Sequence, residues 1–157
     1  MKILIVSEKS TSFLEHYIVN FATALIDQQI TVMLLTGEPF QKSIENLKVV
    51  NSPAFTELSK TLDEHRYLEV FRVAAQHQID HIHFCFLLDP QRLYLAMHSD
   101  PVVSHFKISY SIFGLAEYLR KPIYRIFHEK MLDSDFIKTI MIHSDYPALS
   151  KQMAERE

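Results

Sequence analysis

The residues best suited to chemistry come directly after the first apolar run of the chain. They combine hydroxyls with one acid and one lysine: Ser7, Glu8, Lys9, Ser10, Thr11 and Ser12. An amphipathic pattern follows, so these groups meet the N–H groups of a helix N-terminus and could hold an anion or a sugar hydroxyl. We expect this run to line a ligand cleft. The alternative is a solvated loop in which Ser12 only caps the helix.

Two histidines form a second candidate site. His81 and His83 stand two residues apart in an apolar run, so a strand places both side chains on one face. A zinc site needs further ligands, and the nearest acid, Asp80, alternates to the other face. We therefore predict no metal here, and we expect the histidines to be hydrogen-bonded within the sheet or to line the cleft.

A basic and aromatic segment is the third feature. Residues 118–130 read YLRKPIYRIFHEK, in which Glu129 is the single acid against four cations: Arg120, Lys121, Arg125 and Lys130. Basic residues interleaved with apolar ones can mark a helix that lies on an anionic membrane surface. The alternative is a helix that buries its apolar side in the core and leaves its cations in solvent.

The elements that must position these residues alternate between strand and helix. Short apolar, β-branched runs predict strands at 2–7, 30–36, 47–50, 79–88, 106–113 and 137–143. Capping residues and helical periodicity predict helices at 12–28, 61–78, from Asp89 onward, at 115–131 with an interruption near Pro122, and at 146–156. A strand, a helix and a strand within the first 36 residues imply parallel strands. We predict one domain over 1–157, an α/β fold with a Rossmann-like, doubly wound, mostly parallel sheet and helices on both faces.

Ligands of open α/β sheets bind at the carboxyl ends of the strands, near the point where the strand order reverses. This rule directs attention to the segments that follow the predicted strands. They are 7–12, 36–40, 84–89, 111–114 and 143–146.

Composition restricts the function classes. The chain has only two glycines, Gly37 and Gly114, so a phosphate-wrapping Walker loop and the dinucleotide fingerprint are excluded, and we predict no cofactor. A net charge of −3 argues against nucleic acid as a partner. Cys85 is the only cysteine, which fits a reducing compartment. We expect a cytoplasmic protein, with peripheral contact at the inner face of the membrane as a further expectation.

The order of these signals resembles the N-terminal domain of GT-B glycosyltransferases, in particular glycosyltransferase family 4. In that family a V-x-V-x-T strand is followed by a D-x-x-H strand, then by a strand ending in a histidine-glycine pair, and last by a strand ending in serine before a helix. The corresponding segments here are 30–37 (ITVMLLTG), 80–83 (DHIH), 111–114 (SIFG) and 140–144 (IMIHS).

This resemblance implies the acceptor-side half of a sugar-nucleotide-dependent transferase in polysaccharide or glycoconjugate biosynthesis. A sugar acceptor would bind this half, and the nucleotide sugar would need a C-terminal domain that this chain lacks, so the isolated chain would be inactive. Phe113 stands where the family has its strand-end histidine, and no catalytic residue is assigned. The implied cleft residues are Ser7, Glu8, Lys9, Ser10, Thr11, His16, His83, Phe113, Gly114 and Ser144.

Three other classes share the predicted architecture. A non-catalytic interaction domain would keep a degenerate transferase half-fold and lose its chemistry. A flavodoxin-like binding module would use the hydroxyls at 10–12, although it normally has a glycine there and often a tryptophan on the flavin. A receiver domain would need clustered acids after the first strand, where Glu8 stands alone.

Overall fold

The computed structural model describes residues 1–7, 12–37, 39–52, 65–85, 89–99, 101–113, 120–135 and 137–143. Its strands are β1 Lys2–Ser7, β2 Thr31–Thr36, β3 Lys48–Asn51, β4 His81–Phe84, β5 Lys107–Phe113 and β6 Ile137–His143. Its helices are α1 Ser12–Asp27, α2 His65–Gln76, α3 Pro90–Ser99 and α4 Pro122–Leu132, with a 3-10 turn at Pro101–His105 between α3 and β5.

The six strands form one sheet in the order β3-β2-β1-β4-β5-β6, and every neighbouring pair is parallel. The predicted Rossmann-like α/β class is therefore confirmed. The order reverses between β1 and β4, because the chain first builds outward from β1 to β3 and then returns to add β4 on the other side. The carboxyl ends of β1 and β4 thus mark the position where such sheets bind ligands.

The strands are apolar on both faces because helices cover both. On one face α1 packs Ile18 and Ala22 onto Ile5 and Leu34. On the other face α2, α3 and α4 cover a larger core that includes Phe71, Phe84 and Tyr110. Side chains of a strand alternate between the faces, so the odd-numbered residues of β1, β4 and β5 point toward α1.

One predicted element is shorter in the structure, and parts of others lie outside the described residues. The strand expected at 79–88 is limited to β4, and its last residues, 86–88, lie outside the described part of the chain. Pro122 begins α4, with Lys121 as an extended N-cap residue, because proline suits the first turn, where its missing N–H has no helical acceptor. The expected helix at 146–156 lies outside the described residues, and so do residues 61–64 and 115–119 of the helices expected at 61–78 and 115–131.

Two helix ends use glutamine where glycine is usual. Gln29 after α1 and Gln78 after α2 have φ angles of 61° and 56°. In both cases the next residue closes the turn, since Ile30 N–H donates to Leu25 and Ile79 N–H donates to Ala74, which is the Schellman arrangement. The scarcity of glycine thus reaches these two helix ends.

Candidate functional site

A row of three hydroxyls and one thiol crosses the sheet near the carboxyl ends of four neighbouring strands. Ser7 of β1 pairs with Thr36 of β2. Cys85 and Ser111 stand at the same level as Ser7, each one residue beyond the last position at which β4 pairs with β1 or with β5. Strand alternation puts all four side chains on the α1 face, and all four are buried. We call Thr36, Ser7, Cys85 and Ser111 the polar row; at the usual strand spacing it is roughly 14 Å long.

The polar row continues into a chain of hydrogen bonds that runs down the α1 face of β4 and β5. Tyr17 Oη of α1 lies 2.9 Å from Ser111 Oγ, which is 3.1 Å from His83 Nε2. His83 Nδ1 lies 2.8 Å from Ser109 Oγ, and Ser109 Oγ is 2.7 Å from His81 Nε2. We call these five side chains, from Tyr17 to His81, the Tyr–His array.

The local sequence explains the geometry of the Tyr–His array. Ser109 and His83 are register partners on β5 and β4, so their side chains stand side by side on one face. Tyr17 and Phe21 are one helical turn apart on α1 and stack on each other at 5.7 Å, as residues at i and i+4 do. Phe21 then covers the His83 ring at 4.8 Å. The helix therefore both seals the array and supplies its phenol.

Hydroxyls can donate and accept, so the Tyr–His array can be satisfied in either direction. If Tyr17 donates to Ser111, then Ser111 donates to His83 Nε2 and His83 carries its proton on Nδ1. If the direction is reversed, His83 carries its proton on Nε2 and donates to Ser111. Each neutral tautomer of His83 is compatible with a complete set of hydrogen bonds.

Burial favours the neutral forms of Tyr17, Cys85 and His81. Burial raises the pKa of Tyr17 to about 12, partly offset by the hydrogen bond with Ser111. Burial also raises the pKa of the Cys85 thiol, and burial together with the charge of Lys107 lowers the pKa of His81. At neutral pH the described part of the site is therefore a neutral phenol, thiol and imidazole beside serine hydroxyls.

The lowered pKa of His81 predicts a loss of stability in acid. Its folded-state pKa lies below the ordinary value of 6.5, so below about pH 6.5 the unfolded chain binds a proton that the folded chain does not, and the free energy of unfolding falls as the pH decreases. His128, whose pKa burial also lowers, adds to the same trend. Urea unfolding at pH 7.5 and pH 5.5 measures it.

We expect the drop between pH 7.5 and pH 5.5 to be smaller in His81→Gln than in the parent chain. The matched control is His105→Gln, because His105 is exposed in the 3-10 turn. An equal drop in His81→Gln and His105→Gln would mean that His81 does not contribute to the acid sensitivity.

The structure brings together only part of the predicted cleft. Ser7 is in the polar row and His83 is in the Tyr–His array, whereas His16 lies on the exposed side of α1. Phe113 ends β5, where its backbone pairs with His143. Six predicted cleft residues lie outside the described part of the chain: Glu8, Lys9, Ser10, Thr11, Gly114 and Ser144.

Tyr17, Ser109 and Ser111 are the site residues that sequence reasoning missed as a group. Serine at every second position of β5, in an otherwise apolar strand, was the available signal. Two serines on a covered strand face need polar partners, and the only strand with polar side chains at the same spacing is β4. Tyr17 gave no such signal, since an aromatic residue on an amphipathic helix is usually part of the core.

His81 and His83 share one face as predicted, and both contact Ser109 Oγ. Asp80 is used elsewhere, since its carboxylate accepts the backbone N–H of Lys2 at 2.7 Å. Among the residues that the structure describes, no group of three histidine, cysteine or acidic side chains is arranged to hold a metal ion.

The basic segment lies on the opposite face of the sheet from the polar row. Arg120 and Lys121 precede α4, Arg125 and Lys130 are on it, and all four are exposed. A groove of about 380 Å³ lies at the end of α4 and is lined by Tyr94, His98, Lys130, Asp133, Ser134 and Asp135. Crossover helices run opposite to the strands, so this groove is at the amino end of the sheet.

Within the described residues, none of the helices has the length and apolar character that crossing a bilayer requires.

Comparison with known proteins yields two similar structures and no family. No family model matches the chain, and no curated protein matches it. An isochorismatase-like hydrolase from Alkaliphilus metalliredigens is similar in structure with a TM-score of 0.45 and 9% identity, over 99% of this chain and 97% of that chain. A short-chain dehydrogenase/reductase from Burkholderia vietnamiensis has a TM-score of 0.43 and 12% identity, over 99% of this chain and 90% of that chain.

The expected relationship to glycosyltransferase family 4 is therefore wrong. No family model or curated protein supports it, and the two similar structures are a hydrolase and a reductase. The sequence signals on which it rested are apolar strands that end in polar residues, which many open parallel sheets share. The transferase role and its degenerate interaction form are withdrawn, whereas the sugar partners that followed from them stay an untested prediction. The open α/β fold rests on the strand order of the sheet.

Proposed function

We propose that this α/β domain binds a small, uncharged molecule that carries hydroxyl or amide groups, at the carboxyl ends of β1 and β4. The polar row is the observation that carries the proposal. Central positions of a doubly covered parallel sheet are normally apolar, yet here Ser7, Thr36 and Ser111 place hydroxyls beside the Cys85 thiol, close to the level where the strand order reverses.

Size and hydrogen-bonding capacity both support a ligand at this level. Ser7 and Thr36 are smaller than Ile5 and Leu34, which stand one step below them on the same face, so β1 and β2 carry shorter side chains at this level. Hydroxyls offer one donor and two acceptor positions each, which allows them to keep an internal partner and still bind a ligand.

The charges favour an uncharged ligand. Among the described residues, the polar row and the Tyr–His array contain no arginine, lysine or acid. Lys107 stands beside His81, at the opposite end of the array from Tyr17. An ionic ligand would have to leave water without a counter-charge from these residues, which is unfavourable. A polyol or an amide loses much less hydration.

The same electrostatics favour binding over catalysis. A general acid or base works best when its pKa is near the working pH, and a nucleophilic cysteine needs a lowered pKa. Burial moves the pKa of Tyr17 to about 12 and moves the pKa of Cys85 upward as well. Both groups are therefore suited to donate or accept hydrogen bonds rather than to transfer protons.

Ligand-observed NMR with the full chain tests the proposal. The probes are neutral polyols and primary amides on one side, and small carboxylates and inorganic phosphate on the other. We expect saturation transfer to neutral probes. We also expect Tyr17→Phe to raise their dissociation constant by about 3- to 10-fold, because one hydrogen bond is lost.

Tyr94→Phe is the matched control, because Tyr94 lies on α3 at the opposite face of the sheet. Binding of neutral probes should be unchanged in this variant. Preferential binding of the anions, or equal binding to the parent chain and Tyr17→Phe, would overturn the proposal.

A cytoplasmic setting belongs to this proposal. Its support is the single cysteine of the chain, Cys85, which is a free and buried thiol and suits a reducing compartment. Fractionation of the source cells with an antibody to this domain tests it, and recovery from an oxidising compartment would contradict it.

A further inference from the structure

The outer face of α4 combines exposed isoleucines with cations. Ile123 and Ile126 are 44% and 48% exposed, and they are three residues apart, which places them side by side on the helix. Around them Lys121, Arg125 and Lys130 are exposed as well. Neither the polar row nor the Tyr–His array uses this face.

The opposite side of α4 fixes the helix to the sheet, so the outer face is presented rigidly. His128 and Met131 are buried, and His128 Nδ1 lies 3.0 Å from the hydroxyl of Tyr110 on β5. Tyr124 and Phe127 pack partly buried between the two sides. The two isoleucines are therefore not needed for the core.

The cations of this face have no acidic partner among the ion pairs of the described residues. Lys121 and Lys130 instead lie over aromatic rings, at 4.9 Å from Tyr124 and at 5.2 Å from Phe127. Residues 120–130 carry four cations and one acid, although the whole chain has a net charge of −3. The positive charge is greatest at residues 120–125, around Ile123, and the acids Glu129, Asp133 and Asp135 stand toward the C-terminal end of α4.

We propose that the outer face of α4 binds an anionic lipid bilayer, with Ile123 and Ile126 inserted at the headgroup level and the surrounding cations on lipid phosphates and carboxylates. Charge complementarity decides for this occupant. A second copy of the chain would bring two cationic faces together, and a zwitterionic surface would leave the cations without counter-charges. A basic, apolar helix face matches the known requirements of interfacial helices.

Vesicle cosedimentation with the full chain tests the proposal. The probes are phosphatidylcholine vesicles with and without about one third phosphatidylserine. We expect binding only to the anionic vesicles, and release by high salt because surface charges are screened. Each cation near the surface adds about fivefold to the partition coefficient, so Arg120→Gln with Arg125→Gln should lower it roughly 30-fold.

Two matched controls distinguish binding by this face from the effects of net charge and of exposed apolar side chains elsewhere on the chain. Lys42→Gln with Lys48→Gln makes the same charge change in an exposed region near β3, and it should leave binding nearly unchanged. Ile126→Ser should weaken binding by about tenfold, whereas Val49→Ser, at a 42% exposed residue of β3, should not. All these positions are exposed, so circular dichroism melts should match that of the parent chain.

Equal binding to both vesicle types, or no binding to either, overturns the proposal. Sedimentation velocity is the other decisive measurement. If the parent chain is a dimer and Ile126→Ser is a monomer, the face binds a second copy of the chain and the proposal is wrong. The proposal is also overturned if the Lys42 and Lys48 variant loses as much binding to anionic vesicles as the Arg120 and Arg125 variant does.

Discussion

The valine variant of Ser111 is expected to be less stable than the threonine variant by about 2–4 kcal/mol. Threonine and valine have nearly the same shape, but only threonine keeps a hydroxyl between Tyr17 and His83. The valine variant withdraws one hydrogen bond from each of these two side chains. Because Ser111 is fully buried, water cannot readily replace the missing hydroxyl.

Urea unfolding of Ser111→Thr and Ser111→Val measures this difference, since any strain from the added methyl group is common to both variants. Ser111→Ala provides a second measurement without added volume and should also lose stability. If Ser111→Val and Ser111→Thr unfold at the same urea concentration with the same slope, the Tyr–His array does not contribute to stability in the way that its geometry indicates.

Replacement of Phe71 by alanine is expected to lower the free energy of unfolding by about 3–5 kcal/mol, the usual range for removing a fully buried phenylalanine. Phe71 of α2 is completely buried and its ring is stacked on that of Phe106 at 6.4 Å. Since small domains have a total stability of about 5–15 kcal/mol, this single change should remove a large fraction of it.

Phe71→Leu is the matched control, because leucine fills most of the cavity and should lose less than half as much stability. Thermal and urea unfolding of both variants at neutral pH measure the effect. A loss below about 1 kcal/mol in Phe71→Ala would mean that α2 is not packed against the sheet as described.

The polar row could not be identified from the sequence because it depends on strand order. Thr36, Ser7, Cys85 and Ser111 come from four strands, and their alignment requires β4 to lie next to β1 and β5 next to β4. Tyr17 and Ser111 are 94 residues apart in the chain, and no local pattern connects them. The individual polar strand ends were visible in the sequence, whereas their arrangement in one row was not.

The family resemblance failed for a related reason. Segments 30–37 and 80–83 fit the glycosyltransferase motifs because buried parallel strands are built from the same few residue types and commonly end in polar residues. Such matches report the fold and not the chemistry, because function depends on the particular side chains that meet at the strand ends.

The sequence by itself determined the class of the fold. Apolar β-branched runs, capping residues and the spacing of β1, α1 and β2 specify alternating strands and helices, and right-handed crossovers then leave few arrangements. Local chemistry also placed the start of α3, where the Asp89 carboxylate accepts the N–H of Arg92 at 3.0 Å, as expected of a cap before Pro90. Helix caps and the alternation of strands and helices depend on residues that are close together in the sequence.

Only the tertiary structure decided which residues form the candidate site. It turned two serines of β5 and two histidines of β4 into one hydrogen-bonded array, brought Tyr17 to its end, and left His16 on the far side of α1. It also separated the buried side of α4 from the exposed side that carries Ile123 and Ile126. The physical reason is that hydrogen bonds and burial are set by register and packing between distant segments, which local residue patterns do not encode.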